Sequence, residues 1–475
     1  MARYRIRLGP VDMRRVIARP APALLAVLLL AAGGALATPP PPDEQVPTSA
    51  LAESRPFGPN ERAATLDRIA GLIERNYVYK DKAATIAAEV RTMKSDPQLA
   101  AATDEVMWAA VLTRRLDAHD VHFNVSWSAA PTPASNLVGG EKPDPQALER
   151  TLAADNYGFT KVERLAGNIG YIKMNYFSPF DRALTGEATP AARKAGEAAL
   201  RLVDKADAVI FDLRQNGGGS PDMIDLMLSA FFGDKPVLLN RFYQRQGDRK
   251  VDFSTLANYA GPHRPEVPVY VLISGATASG AEEFAYDIQT QKRGLVVGER
   301  SAGGANPGGV FDAGDGLQIF ISTGAAENPI TGTNWEGVGV KPDVPVPADQ
   351  ALEQAHALAL QEVLAKMGSS DPTEARWTLD LLQAQRTGVR LTAQERAAYV
   401  GEFGDRRVGV EDGALVYRRE RRPPLRMIPL GGDTFALADV PRTRLVLEKG
   451  SNGRASVLVT QSADGDRASF ARTGG

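Results

Sequence analysis

Two apolar runs, each closing on small residues that open a helix, constrain this chain more than any other feature. ADAVIFDLR (206–214) is almost continuously apolar and passes through QNGGG into SPDMIDLMLSAFF (220–232), which has helical spacing. VPVYVLIS (267–274) passes through GATAS into GAEEFAYDIQ (280–289) in the same way. Strands without a polar face are covered on both sides, and strands alternating with helices form parallel sheets, so the pattern predicts an α/β core. GNIGYIKMNYF (167–177) and GLVVGE (294–299) read as further strands, Ala195–Val203 as a helix, and Ala351–Met367 as a helix closed by Gly368.

The flanks differ in texture. Six arginines precede the apolar run Ala21–Ala37, which ends in the small-x-small pattern Ala35-Leu36-Ala37, so residues 1–37 read as a signal peptide cut after Ala37. An uncleaved anchor is the alternative. The leader predicts a periplasmic or secreted protein. Residues 38–58 are rich in proline and read as a tether. Residues 59–130 read as a helical N-terminal domain, 131–368 as the core, 369–390 as a helical linker and 391–475 as a small antiparallel β module with no assignable function. Its RRERR cluster (418–422) suits a solvated strand edge better than a binding patch.

Composition excludes several chemistries. The chain has 475 residues, no Cys and four His, which rules out a disulfide scaffold, a thiolate metal site and a cysteine nucleophile and leaves little for a multi-histidine metal site. No metal and no cofactor are expected. Without the leader's six Arg and Asp12 the formal charge falls to −7, which gives no electrostatic case for nucleic acid or an anionic membrane surface.

Four local signals could carry chemistry. In FDLRQNGGGSPD (211–222), glycines at a strand-to-helix junction let backbone N–H groups approach a ligand; the run lacks the Lys-Ser/Thr of a phosphate loop and the spacing of a dinucleotide motif. A tight turn is the plain alternative. In ATASGAEEF (276–284), Ser279 has only small neighbours, although S-x-x-E from Ser279 to Glu282 is equally a capping box. In DAHDVHFNVSW (117–127) alternation predicts a strand on which His122 points away from the packed face, while His119 reads as a turn residue. In NWEGVGVKPDVPV (334–346), Glu336 could orient an imidazole or simply face solvent.

In this order, DVHFNV (120–125), GNIGYIKMNYF, FDLRQNGGG, SGAEEFAYDIQTQKRGLVVGERSAGGAN (279–306) and NWEGVGVKPDV (334–344) resemble the tail-specific or C-terminal-processing serine peptidase family, in the branch similar to interphotoreceptor retinoid-binding protein and the tricorn protease core. The resemblance covers roughly residues 60–365. It implies a crotonase-like (ClpP-like) spiral of β-β-α units, with Ser279 as nucleophile, His122 as general base, Glu336 orienting the imidazole, and the N–H groups of Gly218 and Gly280 as the oxyanion hole. Two departures follow. The processing branch uses a Ser–Lys dyad, but Gly304 stands where that Lys would fall, and Lys292 lies at the far end of the helix that Ser279 begins. No insertion would accommodate a PDZ module.

The residues and the resemblance together predict a serine peptidase acting on peptides or unfolded protein through an acyl-enzyme. A binding protein for apolar small ligands on the same fold, and an esterase or amidase, are the competing readings.

Overall fold

The computed structural model describes residues 57–128, 145–180, 190–366 and 372–473. The signal peptide and most of the tether, and Gly368, lie outside the described residues.

Four helices open the described chain, α1 (Pro59–Asn76), α2 (Lys80–Thr92), the single turn α3 (Pro97–Ala100) and α4 (Glu105–Leu116), followed by strand β1 (Asn124–Trp127). Next come α5 (Pro145–Ala154), β2 (Phe159–Leu165), β3 (Ile169–Met174), α6 (Pro190–Leu202), β4 (Ala208–Asp212) and α7 (Pro221–Ser229). The chain continues through β5 (Leu238–Gln244), β6 (Arg249–Ser254), β7 (Val269–Ile273), α8 (Gly280–Thr290) and β8 (Leu295–Gly298). Strands β9 (Gly308–Gly314), β10 (Leu317–Ser322), β11 (Gly324–Glu327) and β12 (Val344–Pro345) lead to α9 (Ala351–Lys366), α10 (Thr373–Thr387) and α11 (Ala393–Tyr399). Eight strands, β13 (Gly401–Phe403) to β20 (Arg467–Ala471), complete it.

The fold is mixed α/β. A six-stranded sheet in the order β12-β8-β7-β4-β3-β2 forms the centre, parallel except where β2 turns back on β3. Its two faces are filled by alternate residues of the same strands, as the two-residue period of a strand requires. Val209 and Phe211 of β4 join a core with Leu200, Leu226 and Phe284 from α6, α7 and α8, while Ala208 and Ile210 pack with Ala355 and Leu360 of α9. This two-sided burial explains why β4 and β7 carry no polar face.

Three features were not anticipated from the sequence. Strands β5 and β6 pair as a hairpin with β11 on one edge, and β10 pairs with both β9 and β1. The N-terminal helices build no closed core of their own. Leu66, Ile73 and Leu112 pack against Val125, Leu317 and Ile319, so residues on both sides of the central sheet sequence share one apolar layer. At the other end the eight C-terminal strands run as an antiparallel meander in chain order, and the N–H of Thr473 donates to Glu402 O at 2.8 Å, joining its last stretch to its first. Arg444 sits over the Trp377 ring at 4.7 Å and pairs with Asp380, tying that module to α10.

Phe211 is fully buried, with Phe284 at 4.8 Å and Phe231 at 5.6 Å between ring centroids. Phe211→Ala should lower stability by about 3–5 kcal/mol through lost burial and the cavity left behind. A urea-melt difference under ~1 kcal/mol would mean that this strand is not the packed centre.

Candidate active site

The turn before α8 is fixed before any chemistry is considered. Thr277 Oγ1 donates to Leu213 O at 2.8 Å and Ser274 Oγ donates to Arg214 O at 2.6 Å, stapling the end of β7 to the end of β4. Ser279 then takes φ 52° and ψ −122°, a backbone conformation that non-glycine residues adopt only when their surroundings impose it. Glu282 imposes it. Its Oε2 accepts the N–H of Ser279 and the N–H of Gly304, both at 2.8 Å, and its Oε1 accepts Ser301 Oγ at 2.5 Å and the N–H of Gly303 at 2.7 Å. Only the Glu282 half of the capping box read from the sequence is formed, since the N–H of Glu282 donates to the backbone carbonyl of Ser279 at 2.8 Å and not to its side chain. The same acid also grips the loop 301–304. Burial pushes the Glu282 carboxyl up to about 7, against the four hydrogen bonds that favour its charged form.

His122 is not on a strand, as the alternation suggested. It lies in the turn just before β1, because Asp120 Oδ1 accepts the N–H of His122 at 2.9 Å and bends the chain there. The imidazole stacks on Phe320 at 5.9 Å, and its Nδ1 meets Asp120 Oδ1 at 3.2 Å and Glu336 Oε2 at 3.7 Å. Asp120 was missed in the sequence; the signal was a D-x-H spacing in which an aspartate turn places its own carboxylate under the ring two residues on. Glu336 reaches the imidazole less closely and spends Oε2 on the N–H groups of Ala305 at 2.7 Å and Asn306 at 3.0 Å. One atom each of Asp120, His122 and Glu336 lies within 4.8 Å of the others, a spacing a cation could share but that hydrogen bonding to Nδ1 already accounts for.

The opposite ring nitrogen faces Gly304. A Cβ at position 304 would lie 2.8 Å from His122 Nε2, so any larger residue there would displace the imidazole. The absence of a side chain at 304 is what makes room for the imidazole. His122 and Ser279 line one cavity of about 160 Å³, with Gly219, Gly280, Phe320 and Trp335 among its walls.

The glycine run departs from expectation at one position. The N–H of Gly218 does not face the cavity's reacting end; it donates to Asn216 Oδ1 at 2.8 Å. Gly218 instead gives room, since a Cβ on it would lie 2.9 Å from Ser279 Cβ. Gly219 lines the cavity with φ 133°, and among the described residues its N–H makes no hydrogen bond. Gly280 holds the first position of α8, where helical N–H groups lack an intrahelical partner.

Burial works against a charged imidazole, but the hydrogen bond to Asp120 and the nearby carboxylates of Asp120 and Glu336 outweigh it and push His122 up to about 10. Asp120 is held below its ordinary value, since contact with His122 overcomes its own burial.

Residues 168–346 match the family profile described as Peptidase family S41. A carboxy-terminal-processing protease of Bartonella bacilliformis is 27% identical over 212 residues, 44% of this chain and 45% of that protein. A chloroplastic carboxyl-terminal-processing peptidase 2 of Arabidopsis thaliana is 33% identical over 180 residues, 38% of this chain and 32% of that protein. The chain thus spans half or less of the length of these curated relatives. Among solved structures, a photosystem II D1 C-terminal processing protease aligns with 66% of this chain and 99% of its own, at 17% identity and a TM-score of 0.37. The resemblance to C-terminal-processing peptidases carried by the motifs is borne out over the matched region. Among the described residues no helix is long and apolar enough to cross a membrane.

Because its folded value is raised above the ordinary 6.5, His122 adds stability that is complete below about pH 6.5 and is lost as pH rises through about 10. Histidine ring NMR should show one imidazole titrating near 10, and Asp120→Asn should move it down toward 6.5. An unshifted titration in that variant would remove Asp120 from the imidazole's support.

Proposed function

We propose that this chain is a serine peptidase that hydrolyses peptide bonds through an acyl-enzyme on Ser279. The observation that carries this reading is one cavity bordered by a serine on a strained helix-opening turn and by a histidine whose far nitrogen is held by carboxylates. A serine hydroxyl is a weak nucleophile until an adjacent base takes its proton.

In this reading Ser279 Oγ attacks the substrate carbonyl carbon while its proton passes to His122 Nε2. The carbonyl oxygen becomes an oxyanion facing the N–H groups of Gly219 and Gly280, with Gly219 taking the place first given to Gly218. The tetrahedral intermediate collapses, the C–N bond breaks, and Nε2 returns the proton to the leaving amine. Water, deprotonated by the same nitrogen, then releases the acyl group and restores Ser279. Asp120 and Glu336 stabilise the imidazolium and keep Nε2 toward the serine, Asp120 from closer range. Because the resting imidazole carries its proton up to about pH 10, turnover climbs as pH rises above neutrality.

Several finer assignments belong to the same proposal. A crotonase-like spiral suits a core in which hairpins alternate with helices around a mostly parallel sheet. The substrate is peptide or unfolded protein, and the leader at 1–37 supports a periplasmic or secreted site of action. A carrier of apolar small molecules fits less well, because a cavity of about 160 Å³ falls short of the roughly 300–1,000 Å³ of typical ligand sites. Ester and peptide substrates compared side by side would separate a peptidase from an esterase.

Ser279→Ala should cut peptide turnover by about 10⁶-fold and abolish labelling by a fluorophosphonate. Hydrolysis at the wild-type rate in that variant would end the proposal. Gly304→Ala, which adds one methyl against Nε2, should lower turnover by roughly 100-fold, the order of loss a displacement near the reacting atoms produces. Full activity with a normal His122 titration would show that the imidazole is not confined there.

A further inference from the structure

One acid in the cavity has no part in the mechanism above. Glu283 follows Ser279 by four residues, which places it one turn further along α8 on the same face. It lines the same cavity as Ser279 and is 2% exposed, with Phe242, Phe253 and Trp335 among the walls around it. Behind it lie two more buried acids, Asp225 of α7 and Asp287 one further turn along α8. Burial raises the carboxyls of all three well above their usual range, and the charge of Glu283 adds to the effect on both aspartates.

What sets this trio apart is the absence of a counter-ion. Asn240 and Asn328 are the polar side chains that favour the charged forms of Glu283 and Asp287, and among the described residues no Lys, Arg or His pairs with any of the three acids. Asp287 is fully buried, yet its Oδ2 has no hydrogen-bond partner. Structural buried acids are normally paired, because an uncompensated carboxylate in an apolar setting is costly. Of the three, Glu283 lines the cavity beside Ser279, and that cavity is the space in which a positive charge would meet it.

We propose that Glu283 makes this cavity selective for a cationic side chain, so that the peptide residue whose carbonyl Ser279 attacks is a lysine or arginine. The inference rests on Ser279 as nucleophile for the substrate's orientation, but the cation site stands on its own geometry. A lysine stem would lie along Phe242 and Phe253 while its ammonium meets the carboxylate, dividing the side chain into apolar and charged parts as such residues do at surfaces. About 160 Å³ is the space of roughly five water molecules, enough for one long side chain.

The test pairs a binding measurement with a kinetic one. By calorimetry, n-butylammonium should bind the wild type and Ser279→Ala but not Glu283→Gln, and neutral n-butanol should bind none of them measurably. With peptides differing only in lysine against norleucine at the cleaved residue, wild-type kcat/KM should favour lysine by about 10- to 100-fold, the range expected when a charged partner is left unmatched. Glu283→Gln should collapse that ratio toward one. Wild-type protein that binds the alcohol as well as the ammonium, or prefers norleucine, overturns the proposal even if the variant fails to fold. Ammonium binding abolished by Glu283→Gln in a protein whose Ser279 resists fluorophosphonate would uphold the cation site and refute the nucleophile instead.

Discussion

The carboxylate of Glu282 is the joint on which the candidate site depends. It is buried among four donors drawn from two pieces of chain, the N–H of Ser279 on one side and Ser301, Gly303 and Gly304 on the other. A single oxygen, Oε2, accepts both Ser279 and Gly304 at 2.8 Å, so the turn that strains the serine and the glycine that borders the imidazole are set by one atom. Hydrogen bonds to an ionised acceptor are the stronger kind, and here they oppose a burial cost that raises the carboxyl to about 7. The geometry of the serine is thus held from its own helix and from the loop opposite, rather than by the serine side chain.

Around that joint, small residues act as clearances. Gly218 keeps the glycine run clear of Ser279 Cβ, Gly219 passes so close to Phe177 that a Cβ would lie 2.2 Å from its carbonyl oxygen, and Gly304 leaves space for the ring of His122. A lysine side chain at 304 and an imidazole in its present place are mutually exclusive by volume.

Much of this was legible in the sequence where a single physical rule dominated. The two apolar runs announced strands buried on both faces, and the serine among small residues announced a tight helix start. Elsewhere two rules competed. The alternation from Val121 to Trp127 described the strand correctly only from Asn124 onward, because the Asp120 side chain captures the backbone at His122 and holds it in a turn. Three successive glycines carry no side-chain pattern to show which N–H is engaged, and the partner that decides it, Asn216, acts through a local turn. Strand β6 and the glycine-rich β9 escaped notice because their residues are largely half exposed and lack a clean apolar face, while in β5 the buried Asn240 sits between the core residues Leu239 and Phe242 and breaks the apolar pattern. The trio of buried acids was only partly visible, since Glu283 and Asp287 lie one turn apart on α8 but Asp225 comes from α7, a different helix.

The imidazole comes from residue 122 and the carboxylate beside it from residue 336, a separation of 214 positions, while the first is anchored in the apolar layer that β9 and β10 complete. A ribosome must therefore deliver most of the chain before the imidazole and this second carboxylate can meet. A chain cut short before residue 336 would leave the ring with Asp120 as its one carboxylate neighbour.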